Sequence, residues 1–234
     1  MTDPIEKPSD LRDRTVEIAK ASGLSEMIDE ISKEQNLFDF ESQSNIPIPP
    51  EKIGDTGQTI MVSSTPSETL DVFVEMINEN DTALEFPFLL TGTATEGNMS
   101  LADISLLYSN SQTLASRIVE VDSQLLGNAV NNANESGRNM YVIGHTHPNV
   151  SGDEKNKTLT SKVSEKIKNK YGIKDIGLNL SLQDFYQLVF FQEALKGKIP
   201  EGSKVYLTVL MYDGTLEAIS IEDSRFKRTK INYH

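Results

Sequence analysis

From Thr59 onward the apolar residues fall into short, sharply bounded runs. "TIMVSS" and "ALEFPFLLTG" (83–92) read as strands, with Pro87 pushing the second toward an edge or a bulge. Between them "STPSETLDVFVEMINEN" predicts a helix, with Thr65 as N-cap, Pro66 in the first helical position and Glu68 three residues after the cap. Leu70, Phe73, Val74 and Ile77 recur at helical spacing and form its buried stripe. "MSLADISLLYS" predicts another strand. "VDSQLLGNAVNNANESG" (121–137) predicts a helix with Leu125, Leu126, Ala129, Val130 and Ala133 facing inward, ended by Gly137. "NMYVIG" and "IGLNL" (176–180) are short strands, and "SLQDFYQLVFFQEALKG" (181–197) is a strongly apolar helix. "KVYLTVLMYDGTLEAISI" reads as two strands joined by Asp213-Gly214, a preferred tight hairpin turn.

Ahead of this block the pattern is looser. Val16, Ile18, Met27, Ile28 and Ile31 give an irregular apolar face to one helix over Leu11 to Gln35, interrupted by Gly23. "ESQSNIPIPPEKIGDTGQ" (41–58), with three prolines and two glycines, reads as a linker. The chain therefore divides into residues 1–58, a helix and linker, and residues 59–234, one α/β (α+β) domain built on a mixed β-sheet flanked by helices.

Composition narrows the function. A net charge of −13 argues against a nucleic-acid backbone or an anionic membrane as the main partner. No run approaches ~20 consecutive apolar residues, so no span is expected. The polar opening "MTDPIEKPSDLRDRT" is no signal peptide, and a cytoplasmic location is the expectation. The chain has no cysteine, which removes thiol nucleophiles, disulfides, iron–sulfur clusters and the Cys-bearing zinc sites, nucleobase deaminases included.

Against that background "YVIGHTHPNVSG" stands out, because two of the three histidines lie one residue apart at the end of a buried strand. In extended backbone His145 and His147 share a face and Thr146 points away, so both imidazoles can reach one ion. Two imidazoles suit zinc, and without thiolates the third ligand would be a carboxylate. Ser181 and Asp184 lie at a strand-to-helix junction, and Glu85 interrupts an apolar strand. Each motif also has an ordinary reading: a surface histidine pair, a Ser-x-x-Asp helix cap, a carboxylate on a solvated edge.

Taken together the motifs resemble the signature of the JAMM (MPN+) zinc metallopeptidases. That signature is a glutamate on an early strand with a glycine seven residues later, His-[Ser/Thr]-His-Pro, and Ser-x-x-Asp opening a helix. Glu85 and Gly92, "HTHP" (145–148), and Ser181 with Asp184 reproduce it, over a stretch running from about Thr59 to the C-terminus. Two departures are visible. The "HTHP" and Ser-x-x-Asp elements are separated by a long insertion, about residues 149–175, with seven lysines between Lys155 and Lys174 and a helical spacing of Val163, Ile167 and Tyr171. It reads as a solvated helix or as a lid. Phe88 stands where the family commonly has glycine.

The resemblance implies the cytidine-deaminase-like JAMM/MPN architecture and Zn²⁺ held by His145, His147 and Asp184. It implies Glu85 as the acid–base residue, with Glu96 as a fallback, and Ser181 as the oxyanion donor. The reaction implied is hydrolysis of a peptide or isopeptide bond in a protein or peptide substrate, such as the C-terminal tail of a ubiquitin-like or sulfur-carrier protein. The competing expectation is a catalytically silent MPN-fold interaction module. Ser220 with Asp223 closes a strand and opens no helix, and His234 is terminal; neither enters the site.

Overall fold

A computed structural model describes residues 8–79, 85–108, 121–147, 169–172 and 180–233. The Lys-rich insertion, apart from 169–172, lies outside the described residues, as do Pro148, Val163, Ile167 and His234.

Two helices, α1 (Pro8–Ala21) and α2 (Ser25–Gln35), come first, where the periodicity predicts one. The break falls at Gly23, whose φ of +78° is left-handed. A short helix α3 (Phe40–Gln43), capped by the Asp39 carboxylate, leads to strand β1 (Pro47–Ile48) and a 3₁₀ turn at Pro50–Lys52. Then follow β2 (Gly54–Val62), α4 (Ser64–Glu79), β3 (Pro87–Thr95), β4 (Asn98–Leu106), α5 (Ser123–Glu135) and β5 (Met140–His147). The C-terminal part holds β6 (Leu180–Ser181), α6 (Leu182–Leu195), β7 (Lys204–Met211), β8 (Leu216–Glu222) and β9 (Arg225–Asn232). Helix α4 begins two residues before Pro66, which stays within the first turn, where its missing N–H costs no helical bond.

The fold is mixed α/β, as expected, but the sheet closes. Seven strands run in the order β2-β4-β3-β5-β7-β8-β9, and β2 pairs in parallel with both β4 and β9. Closure depends on β9, a strand the sequence pattern does not announce. Its residues, "RFKRTKIN", are mostly polar, and its turn from β8 uses Asp223 and Ser224 at φ +50° and +57° without a glycine. At the β3–β4 bulge Gly92 is indispensable: a Cβ there would lie 1.9 Å from the Ser100 carbonyl oxygen.

Alternation along the central strands divides the core. Phe88, Leu90, Met140, Val142, Tyr206 and Leu210 pack with Leu70 and Phe73 of α4. Leu89, Tyr141, Ile143, Leu207 and Val209 pack with α5, α6 and the N-terminal helices. The stretch read as a linker is built into this second core. Ile46, Ile48 and Ile53 are fully or nearly fully buried beside Leu11, Ile18, Leu24, Met27 and Ile31. Residues 8–58 are thus packed structure, and β2 runs through the expected boundary at residue 58. The prolines stiffen an extended strap and do not loosen it.

Candidate metal centre

His145 and His147 lie on β5 with the same parity as Tyr141 and Ile143, so they face α6. Strand β5 sits between β3 and β7, with His145 opposite Pro87 and Val209. Thr146 faces the other way, and its Oγ1 accepts the Phe86 N–H at 2.9 Å. This gives the hydroxyl residue between the histidines a structural role: it ties the segment just after Glu85 to the strand that carries the two imidazoles. Carrying the register two residues past Pro87 puts Glu85 opposite His147, on the face shared with the imidazoles.

Asp184 arrives from another direction, as the third residue of α6, fully buried. Its two oxygens divide their work. Oδ2 accepts the Ser181 N–H at 2.6 Å and the Ser181 hydroxyl at 2.7 Å, while Oδ1 lies 3.1 Å from His145 Nε2. One carboxylate therefore closes the helix cap of Ser-x-x-Asp with one oxygen and faces His145 with the other. His145 Nε2 and His147 Nε2 are 3.1 Å apart. One ligand atom from each of His145, His147 and Asp184 falls within 4.8 Å of the others, the three-residue group among the described residues with metal-ligand chemistry. Tetrahedral zinc with ligands at about 2.0–2.1 Å requires ligand separations near 3.3 Å. The donor set and spacing fit such an ion.

The electrostatics match a cluster short of positive charge. Burial pushes the Glu85 carboxyl up to about 7, with Asp184 adding to the rise and His145 opposing it. Burial lowers His147 to about 4, only partly offset by the attraction of Asp184. For His145 burial favours the neutral ring, but the hydrogen bond and charge of Asp184, with the charge of Glu85, outweigh it and raise the imidazole. Burial alone would raise Asp184. Its bond to His145, the imidazole charges and the Ser181 N–H hold it well below the usual carboxylate range.

Phe88 has a partner in Gly144 directly across the ladder. A Cβ on Gly144 would lie 2.4 Å from the Phe88 ring and 2.7 Å from Thr208 Cγ2. The ring occupies the volume that the missing side chain leaves, one residue before the first histidine. Glu96 is exposed in the β3–β4 turn, at the far end of β3 from the cluster, about 30 Å along the strand, so it does not serve as the base.

No family model matches the chain, and no curated protein matches it. Among solved structures it is similar to the solution structure of protein DSY2949 from Desulfitobacterium hafniense, at 10% identity and a TM-score of 0.39, covering 75% of this chain and 92% of that one.

What the sequence pattern misses at this site is the N-terminal contribution. Strand β1 pairs antiparallel with β6, immediately before Asp184, and its signal, alternating isoleucine and proline at 46–49, is easily read as loop. Among the described residues no helix is long and apolar enough to cross a membrane.

Proposed function

We propose that this protein is a zinc-dependent metallopeptidase of the JAMM type, hydrolysing a peptide or isopeptide bond, with a ubiquitin-like or sulfur-carrier tail as the substrate class. The observation that carries the reading is the convergence of His145, His147 and Asp184 with Glu85 on the same face of the sheet. His145, His147 and Asp184 would hold the Zn²⁺, leaving it short of a fourth protein ligand, the pattern of catalytic zinc. When bound there, Zn²⁺ supplies a Lewis acid for a carbonyl oxygen and for water.

The protein's own groups do the proton work. Glu85 takes a proton at its carboxylate from the attacking water and returns it to the leaving amine. Asp184 holds Oδ1 beside His145 Nε2, where both atoms would face the ion, while its other oxygen stays locked to Ser181. Ser181 is the oxyanion donor of the proposal; its hydroxyl donates to Asp184 Oδ2 and reaches a substrate oxygen after a rotation about its Cα–Cβ bond.

The test is metal content of the purified protein together with cleavage of model substrates fused to ubiquitin-like tails. The expected result is one zinc per chain in both the parent and Glu85→Ala, with hydrolysis about 10²–10⁴-fold slower in the variant. Zinc without hydrolysis in the parent would favour the silent interaction module, and absence of zinc from both would end the metallopeptidase reading.

A further inference from the structure

The residue whose placement the metal centre most needs is the one least supported by the barrel. Asp184 stands in the first turn of α6, whose first amides have no partner within the helix. Here two of them are satisfied from more than 130 residues away. The Leu182 N–H donates to the Ile46 carbonyl at 3.1 Å, and the Gln183 N–H donates to the Ser44 carbonyl at 2.7 Å. Pro47 lies opposite Ser181, and Ile48 opposite Leu180.

The alternation of this ladder explains its sequence. Because Ile46 is hydrogen-bonded to Leu182, Pro47 and Ser181 form the pair whose amides point away from each other. Pro47, with no N–H to give, sits where none is needed. The Ser181 N–H is thereby turned to the Asp184 carboxylate at 2.6 Å. Ile46 and Ile48, both fully buried, share one face and anchor the strap in the core, and flanking prolines hold it extended. The same N-terminal region also holds the near end of the insertion: the Tyr171 hydroxyl donates to Glu30 of α2, and Lys52 Nζ lies 5.2 Å from the Tyr171 ring centroid.

We propose that Ser44–Ile48 is a positioning strap for Asp184. It fixes the first turn of α6 so that one carboxylate oxygen is spent on Ser181 and the other is delivered to the histidines. This part of the chain lies outside the stretch that resembles the metallopeptidases, and the proposal rests on the metal reading for its functional meaning only. The strap makes no contact with substrate in this role; it acts through Asp184.

Ile46→Ala tests it, with Ile46→Val as the milder variant if the first does not fold. Ile18→Ala is the control, because Ile18 belongs to the same core cluster but lies on α1. Two quantities are measured in each full-length variant: amide exchange at Ser181, Leu182 and Gln183 relative to Leu188 and Val189 later in α6, and Co²⁺ affinity. The Ile46 variant should lose protection at the three early amides while keeping it at the later two, and its Co²⁺ affinity should fall about 10–100-fold, the range for losing an outer-shell support. Ile18→Ala should leave both unchanged whatever it does to global stability. Equal behaviour of the two sites, or unchanged early amides in the Ile46 variant, overturns the strap. A parent that takes up no Co²⁺ refutes the metal reading instead, and the amide pattern alone then decides on the strap.

Discussion

The two halves of the candidate metal centre are built on different principles. The histidine half rests on β5, flanked by β3 over six registered pairs and by β7 over eight, and the strand is buried along nearly its whole length. The aspartate half rests on a helix start and a two-residue ladder to a distant strap. In the first, position is a by-product of a core that would exist without any ion. In the second, the hydrogen bonds are few, and together they place one carboxylate. A ladder of many apolar pairs opens only with global unfolding, whereas a helix end can open by itself. The difference teaches where this site is vulnerable.

The sharpest way to break the comparison is to remove one ligand from each half. His147→Ala and Asp184→Ala should both lower zinc affinity by more than the roughly 10–100-fold that losing an outer-shell partner costs. Their metal-free stabilities should differ. His147 is held at about 4 by burial, so its ring is neutral at pH 7 and its removal frees no charge. Removing Asp184 takes away the acceptor of the Ser181 N–H and hydroxyl, at a cost of about 0.5–2 kcal/mol for the lost cap. Asp184→Asn, which keeps an acceptor oxygen, should recover much of that stability and little of the affinity. Zinc competition against a chelating dye and urea unfolding of the metal-free proteins measure both. Equal stabilities of the two alanine variants would show that the cap has no separate role.

Next in size is a strain placed in the stiff half. Gly144→Ala forces a methyl against the Phe88 ring and the Thr208 methyl, neither of which is a free side-chain end. Overpacking of this kind costs about 1–3 kcal/mol. Because the ladder is continuous, the loss should appear as lower global stability in urea, with uniform amide exchange along β5. Phe88→Ala combined with Gly144→Ala should be less destabilised than the sum of the two single changes, since the first vacates the volume the second needs. Additive losses would separate Phe88 from the space beside Gly144.

The same contrast separates what can be read in the sequence from what cannot. His145, His147, Ser181 and Asp184 are legible because strand alternation and helix-cap grammar are local rules, and the structure brings their side chains together. Glu85 is legible as a carboxylate in an apolar run, and its charge is coupled to those of His145 and Asp184. The strap is not, because Ile-Pro-Ile-Pro-Pro carries the chemistry of a linker, and its burial is decided by residues distant in sequence on both sides of it. Barrel closure is not legible either. Strand β9 is polar where it faces outward, and Asp223 and Ser224 adopt left-handed backbone without the glycine that would have marked a turn. The single helix expected over 11–35 fails only at Gly23, where a left-handed residue splits the pattern. Non-local pairing, not local propensity, is the common factor in the strap and the barrel closure.

The smallest effect expected concerns Glu85 in the metal-free protein, and its sign is informative. The group is raised from 4.5 to about 7 on folding, chiefly by burial. Above pH 4.5 the unfolded chain ionises it freely while the folded protein keeps it protonated, so its contribution to stability declines as pH rises from 4.5 to about 7 and is then constant. Glu85→Gln removes that titration. Relative to the parent, the variant should therefore gain at least about 1 kcal/mol on going from pH 4.5 to pH 8. A tenfold change in proton affinity on folding is worth ~1.4 kcal/mol, and relaxation around a half-buried group takes back part of it. The change also reaches His145, whose imidazole the Glu85 charge helps to raise, so the difference reports the coupled pair. Urea unfolding of metal-free parent and variant at the two pH values measures it. A difference that is flat with pH would place Glu85 in water, away from the buried face that holds the histidines, and would take from the proposed proton carrier the environment that suits it to neutral pH.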